Sequence, residues 1–356
     1  MSTERINAGR QHELDVAKVL AILYMVVIHV YEEMGTVPWW TPPDSLFRIV
    51  MEFLGGPLAA PVFMFAMGVG MVYTKCRNPR AFAKRGLRLL VASYLLNVVR
   101  MTVPFYLARL AGDSWGGWTV VDTIGLVDIL QFAGMAFLLM ALLEKCRVAR
   151  WGIVAVALVL QAAGILLLHR FDGLPPVAQY VAGLLFHTNS NVCFPLTLWF
   201  VYPAFGVLFG EYLLDVRDKK KMYGRIAMVS AAVFVALCVG MRHMGWDLRN
   251  NFALAGDVYY VQHFPTTVWT LSVIGLQLFL CHRLALVLGE RLLAWTEWVA
   301  RRLNTIYLIQ WIIIPYGMLL LAVAGVPGVT APAIVPVGFL VAALSVFCAR
   351  FVRIKL

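Results

Sequence analysis

Ten runs of about 20 mostly apolar residues, approximately 14–33, 46–74, 87–108, 123–143, 151–168, 193–214, 224–242, 264–281, 303–324 and 332–351, account for most of the sequence. A run of that length lets an α-helix cross a bilayer, and hydrocarbon offers an unpaired backbone nothing to bond with, so helices are the expected solution. Composition agrees: 61% of the 356 residues are hydrophobic and 14% are charged, whereas soluble domains carry roughly 25% charged residues. The expected fold is an all-α, polytopic integral membrane bundle of about ten transmembrane helices, built as one domain over residues 1–356.

Basic residues gather at alternate ends of these runs: Lys75 to Arg88, Lys145 to Arg150, Arg217 to Arg225, Arg283 to Arg302 and Arg350 to Lys355. Placing those ends and the N-terminus in the cytoplasm puts 24 of the 30 Lys and Arg inside, as the positive-inside rule requires, and makes both termini cytoplasmic. The net charge of +11 is thereby explained without nucleic acid, since the charges flank spans and anionic membrane lipids are the simpler partner. The expected location is a bacterial cytoplasmic membrane. The segment MSTERINAGRQHELD carries acids beside its bases, with no small-residue cleavage site behind a short apolar core, so the first span is expected to stay in the mature chain.

The six cysteines, Cys76, Cys146, Cys193, Cys238, Cys281 and Cys348, are dispersed without a C-x-x-C. Neither a disulfide framework nor a metal site is expected.

Ionisable groups inside spans are costly and usually face a bundle interior or a wet cavity. His29 lies about 21 Å beyond Asp15 along its helix, in the outer half of the bilayer. Arg100 in the third span and Asp128 in the fourth reach a similar depth, so three helices bring ionisable groups to one layer. Lys18 and His29 are 11 residues apart, close to three whole turns, and therefore share a face over about 16 Å. An extended ligand could set its phosphates near Lys18 and its reactive end near His29. Glu33, one turn on, or Glu32 could orient the ring.

At this point the residues resemble a known family. LDVAKVLAILYMVVIH (14–29) is similar to the first-helix signature of the membrane acyltransferases of family three, in register from Leu14 and Asp15 to His29. PVFMFAMGVGM (61–71) and KRGLRLLVASY (84–94) resemble the second-span element and the basic approach to the third span. DILQFAGMAFLL (128–139), FPLTLWFVYPAFGVLFG (194–210) and LNTIYLIQWII (303–313) look closer to the related heparan-alpha-glucosaminide N-acetyltransferase branch. The chain departs from the pattern at Lys18 and Val19 in place of Arg-Gly, at Ala92 and Ser93 before Tyr94, and at Gln310 where Tyr-x-x-His is common.

The resemblance implies transfer of an acyl group, commonly acetyl, from cytoplasmic acetyl-CoA or another acyl-CoA to a hydroxyl or amine of an extracytoplasmic glycan or similar small-molecule acceptor. His29 takes the family's histidine role, as general base or as acyl-carrying nucleophile. Lys84, Arg85 and Arg88 take the place of the basic approach to the third span and, with Lys18, are expected to hold CoA phosphates. Arg100, or the amides of Asn97 and Gln131, would stabilise an oxyanion. Asp128 and Gln131 lie on one helix face, and Glu33 completes the expected catalytic set.

The acceptor would meet the two longest outer loops, 169–191 and 242–265. The second offers Trp246, Asp247, Arg249, Asn250, Asp257, Tyr259, Tyr260 and His263, flat rings among hydrogen-bonding groups as a sugar requires. A homodimer is compatible with all of this. The alternative reading is a proton-coupled transporter or a lipid or glycan flippase without covalent chemistry, in which His29, Arg100 and Asp128 relay protons.

Overall fold

A computed structural model of the chain describes residues 5–36, 45–74, 77–112, 115–254 and 258–354. Lys75, Cys76, Asp257 and Lys355 lie outside the described residues. Within them the chain is helical, and two isolated parallel bridges, Gly35 with Val329 and Val127 with Val192, stand in place of any sheet. Among the described residues, eight helical stretches are long and apolar enough to cross a membrane, and Arg150–Leu166 is a shorter apolar helix.

The first helix, α1 (His12–Met34), is the axis of the bundle. Of its most apolar window 72% is buried, against 11% for the peripheral helix Lys219–His243, so α1 is enclosed by the rest of the chain and the other is not. Its start is tied down by buried Glu13, which accepts from Lys219 Nζ at 2.9 Å and from the Tyr223 hydroxyl at 3.2 Å.

The second apolar run is broken into α2 (Leu46–Gly55) and α3 (Ala60–Tyr73). Ser45 caps α2, its hydroxyl accepting the Arg48 N–H at 3.1 Å, and Gly55, Gly56 and Pro57 interrupt the helical ladder. The third run begins at α4 (Pro79–Asn97) with Asn78 as cap and Pro79 in the first turn, where a missing N–H costs nothing. It passes through a π-helical turn, Val98–Thr102, into α5 (Val103–Leu110). Pro104 explains the widening: its ring would collide with the carbonyl four residues back, at Arg100, and it has no N–H to give.

The fourth run starts later than hydropathy implies. A separate short helix, α6 (Val120–Gly125), precedes α7 (Ile129–Lys145), and Asp128 is the cap of α7 rather than a residue within a helix. Then come α8 (Arg150–Leu166), α9 (Pro176–Gly183) in the long outer loop, α10 (Leu196–Trp199) leading into α11 (Val201–Asp215), α12 (Lys219–His243), α13 (Phe264–Val287), the short α14 (Glu290–Ala300), α15 (Leu303–Val323) and α16 (Ala331–Cys348).

Glycines decide two of the closest helix contacts. A Cβ on Gly68 of α3 would sit 2.1 Å from the Pro203 carbonyl oxygen of α11, and one on Gly206 would sit 2.1 Å from that of Phe65. Across α4 and α7, Gly86 and Gly134 face each other in the same way. Small residues replace the hydrophobic effect as the reason helices associate in lipid, by letting backbones approach. These two contacts, with α1 packed against α2, α3, α13, α14, α15 and α16, bring α1, α4, α7 and α15 together around one buried polar centre.

Candidate active site

The centre forms where the third span is interrupted and α7 is capped. Arg100 leaves the π-helical turn of the third span and is 2% exposed. Its Nη1 donates to Asp128 Oδ2 at 2.9 Å and its Nε to Asn97 Oδ1 at 3.2 Å. Asp128, 8% exposed, accepts a second bond on Oδ2 from the Tyr307 hydroxyl at 2.9 Å and one on Oδ1 from the Ile129 N–H at 2.6 Å. A buried carboxylate needs such partners, because desolvation is repaid only when its lone pairs are occupied.

The peptide around Asp128 is held from two sides. The Gln131 amide accepts from the Asp128 N–H at 3.2 Å and donates to the Leu126 carbonyl at 3.0 Å, completing a capping box. Val127 donates to the Asn191 carbonyl at 3.1 Å and accepts from Cys193 at 2.9 Å, so the end of the outer loop 169–191 is built into the wall beside the ion pair. The amide nitrogen of Asn97 is spent on the carbonyls of Ile124 and Leu126 at 2.9 and 2.8 Å. Of the three expected oxyanion donors, Asn97 and Gln131 therefore have their amide nitrogens engaged with backbone, and Arg100 supplies the cation.

His29 joins this centre through α15. Its Nδ1 lies 3.1 Å from Gln310 Oε1, and its ring rests on Trp311 with centroids 4.2 Å apart. The Arg100 guanidinium carbon also lies over Trp311, 4.2 Å from the ring centroid. Tyr307, Gln310 and Trp311, spaced i, i+3 and i+4 on one helix face, link the histidine to the ion pair. The sequence alone marks none of these three as working residues, although polar and aromatic side chains at that spacing in an otherwise apolar helix are a signal available for the purpose. Glu33 is exposed one turn beyond His29, in electrostatic range of Arg100 and Asp128. The residue that hydrogen-bonds the imidazole is Gln310, not Glu33.

At the Lys/Arg-rich end a cavity of about 330 Å³ is lined by Lys18, Arg85, Arg301, Arg302 and Arg353 and by Phe63, Met67, Leu130, Ala133, Phe137 and Thr305. No carboxylate lines it among the described residues. Asp15, which could neutralise Lys18 one turn away, takes both its bonds from Arg10, at 2.6 and 2.9 Å. In its lining, Leu130 is two residues from Asp128 and Thr305 two from Tyr307. Of the cations expected to hold phosphates, Lys18 and Arg85 face it, while Lys84 and Arg88 are exposed and outside its lining. Arg301, Arg302 and Arg353 join them.

The outer loop residues divide. Tyr259 is buried against Trp199 and Tyr260, and Trp199 Nε1 donates to the Tyr260 carbonyl at 3.0 Å. Tyr260 comes within electrostatic range of Asp128 and Glu32. Trp246 meets His263 edge-on at 6.1 Å. Burial of His263 holds its imidazole below the usual range. Asp247 and Arg249 pair with each other at 3.1 Å, and the Arg249 N–H, helped by that guanidinium, holds the Asp247 carboxyl below its ordinary range. The described residues hold no cluster of His, Cys, Asp and Glu that could bind a metal ion.

The chain is a polytopic helical bundle with a His29–Arg100–Asp128 centre and a cation-lined cavity at its Lys/Arg-rich end. The family model described as an acyltransferase domain, that of acyltransferase family three, matches residues 11–350, and the chain belongs to that family of membrane acyltransferases. No curated protein matches the chain.

Proposed function

We propose that the protein transfers an acyl group, acetyl in the simplest case, from acyl-CoA entering at the Lys/Arg-rich cytoplasmic end to a hydroxyl or amine of a glycan or similar acceptor presented from the opposite side of a bacterial cytoplasmic membrane. The observation that carries this reading is the cavity in which five cations, with no carboxylate among the described residues, meet apolar side chains of α3, α4 and α7, Leu130 of α7 being two residues from Asp128. Phosphates favour paired, fork-shaped cations, and an extended arm would carry the thioester up the face shared by Lys18 and His29. The acceptor arrives past Glu33 and Tyr260.

The chemistry is then direct. His29 Nε2 takes the proton of the acceptor O–H or N–H as that atom bonds to the thioester carbonyl carbon. Negative charge collects on the carbonyl oxygen, near Arg100, and its collapse breaks the C–S bond. The CoA thiolate leaves and takes up the proton from His29, restoring the starting state. The ion pair with Asp128 keeps the guanidinium charged and fixed, so little reorganisation accompanies the step.

Sidedness tests the reading. In sealed vesicles of known orientation, CoA release from acetyl-CoA is expected only when the donor is on the side of the Lys/Arg-rich loops and a glycan acceptor is on the other. Release with the donor on the opposite face alone would refute the assignment.

A further inference from the structure

Gln310 carries more than the packing of α15 demands. It is fully buried, at 0% exposure, where a neutral leucine would cost nothing and an amide must find partners for its oxygen and its nitrogen. The oxygen has one, His29 Nδ1 at 3.1 Å. The nitrogen, Nε2, is buried without any hydrogen-bond partner. A buried amide half satisfied beside a histidine is what a site looks like when the missing partner is a ligand atom.

We propose that Gln310 positions His29 for catalysis, accepting the Nδ1–H so that Nε2 keeps its lone pair, and that its own amide N–H donates to the thioester carbonyl oxygen. The proposal rests on the acyl-transfer reading above. The two halves are coupled by the amide's geometry: with its oxygen turned to the imidazole, its nitrogen is turned away from Nδ1. In the opposite amide orientation Nε2 of Gln310 would donate to Nδ1, forcing the imidazole proton onto Nε2 and abolishing the base. A neutral amide also differs from the carboxylate that orients histidine in many hydrolases, because it sets the tautomer without stabilising the imidazolium. Trp311, tilted by 36° against the imidazole with centroids 4.2 Å apart, restricts the ring in the other direction.

Two measurements separate this proposal from the reading beneath it. In protein labelled with [15N]histidine, the seven histidines are reduced to the His29 signals by subtracting the His29→Ala spectrum, which reports the tautomer with no substrate present. The expected result is a protonated Nδ1 and a bare Nε2 in the wild type and in Gln310→Glu, reverting to the Nε2–H form in Gln310→Leu. A wild-type Nε2–H signal, or a tautomer unchanged in Gln310→Leu, overturns the positioning role whatever the enzyme acts on.

The second measurement is turnover. Gln310→Glu keeps an acceptor for Nδ1–H and loses the donor, so kcat is expected to fall about 100-fold, as for removal of one oxyanion donor, with KM for acetyl-CoA unchanged. Its acid limb is expected to move to higher pH, because an anion now faces the imidazole, a shift that a purely structural residue would not produce. Full kcat in Gln310→Glu overturns the donor role. Should the wild type turn over no acyl-CoA at all, the acyl-transfer reading fails and the donor role with it, while the tautomer result stands on its own. Elution as a folded monodisperse species is the control for both variants.

Discussion

His29 and Arg100 share one indole: the imidazole and the guanidinium each lie 4.2 Å from the ring centre of Trp311. Trp311 thus packs against both the base and the cation of the centre. Trp311→Phe preserves a face for both and is expected to retain most activity. Trp311→Leu removes the π surface, and we expect loss of about 3 kcal/mol of stability together with a fall in kcat larger than the rise in KM. Thermal unfolding and steady-state kinetics read the two effects separately; wild-type kcat in Trp311→Leu would contradict the shared role.

The Arg100–Asp128 pair is buried and 2.9 Å long, which makes its halves unequal to its whole. Asp128→Asn leaves a guanidinium without its counter-charge and is expected to cost about 3–5 kcal/mol. The double variant Arg100→Met with Asp128→Leu is expected to recover much of that stability while remaining inactive. Unfolding midpoints in detergent check the first statement and CoA release the second. A fully active double variant would show the pair to be structural only.

The helix contacts that assemble this centre are equally open to test. Gly68→Ala pushes a methyl into the Pro203 carbonyl and is expected to destabilise by about 1–3 kcal/mol, the usual cost of overpacking. Gly224→Ala, where a methyl meets nothing within 4 Å, is expected to be neutral or stabilising by up to about 1 kcal/mol. Equal unfolding midpoints for the two variants would contradict the close approach of α3 and α11.

Among the cations, facing the cavity is what should count. Lys18→Ala, Arg85→Ala and Arg353→Ala are each expected to raise KM for acetyl-CoA about tenfold, the equivalent of roughly 1.4 kcal/mol, with kcat little changed. Lys84→Ala, exposed and outside the lining, is expected to leave KM where it was. A matching effect at Lys84 would show that general surface charge, rather than the cavity, attracts the donor.

Much of this was legible in the sequence, for identifiable reasons. Hydropathy locates the apolar runs, since the bilayer imposes their length, and a rise of about 1.5 Å per residue is enough to place His29, Arg100 and Asp128 in one layer. The Asp128-to-Gln131 spacing was read as one helix face, although Asp-x-x-Gln before an apolar run is also a capping signal; the structure uses it as a cap. Arg301, Arg302 and Arg353 served only as markers of topology, because whether a cation at a helix end faces a cavity or a headgroup depends on neighbouring helices. Tyr307, Gln310 and Trp311 act through the packing of α15 against α1 and the π-helical turn, and periodicity within one helix does not encode that packing. Gln310 in particular reads as a departure from the family pattern until its bond to His29 is seen.

The central claim is that His29 performs the transfer. Purified protein in detergent is given acetyl-CoA with and without glycan acceptors, and free CoA is followed for the wild type and for His29→Ala. Acceptor-dependent release is expected in the wild type and is expected to be lost in His29→Ala, with acetyl-CoA binding retained because the cations of the cavity are untouched. Acceptor-dependent release at the wild-type rate in His29→Ala would contradict the claim.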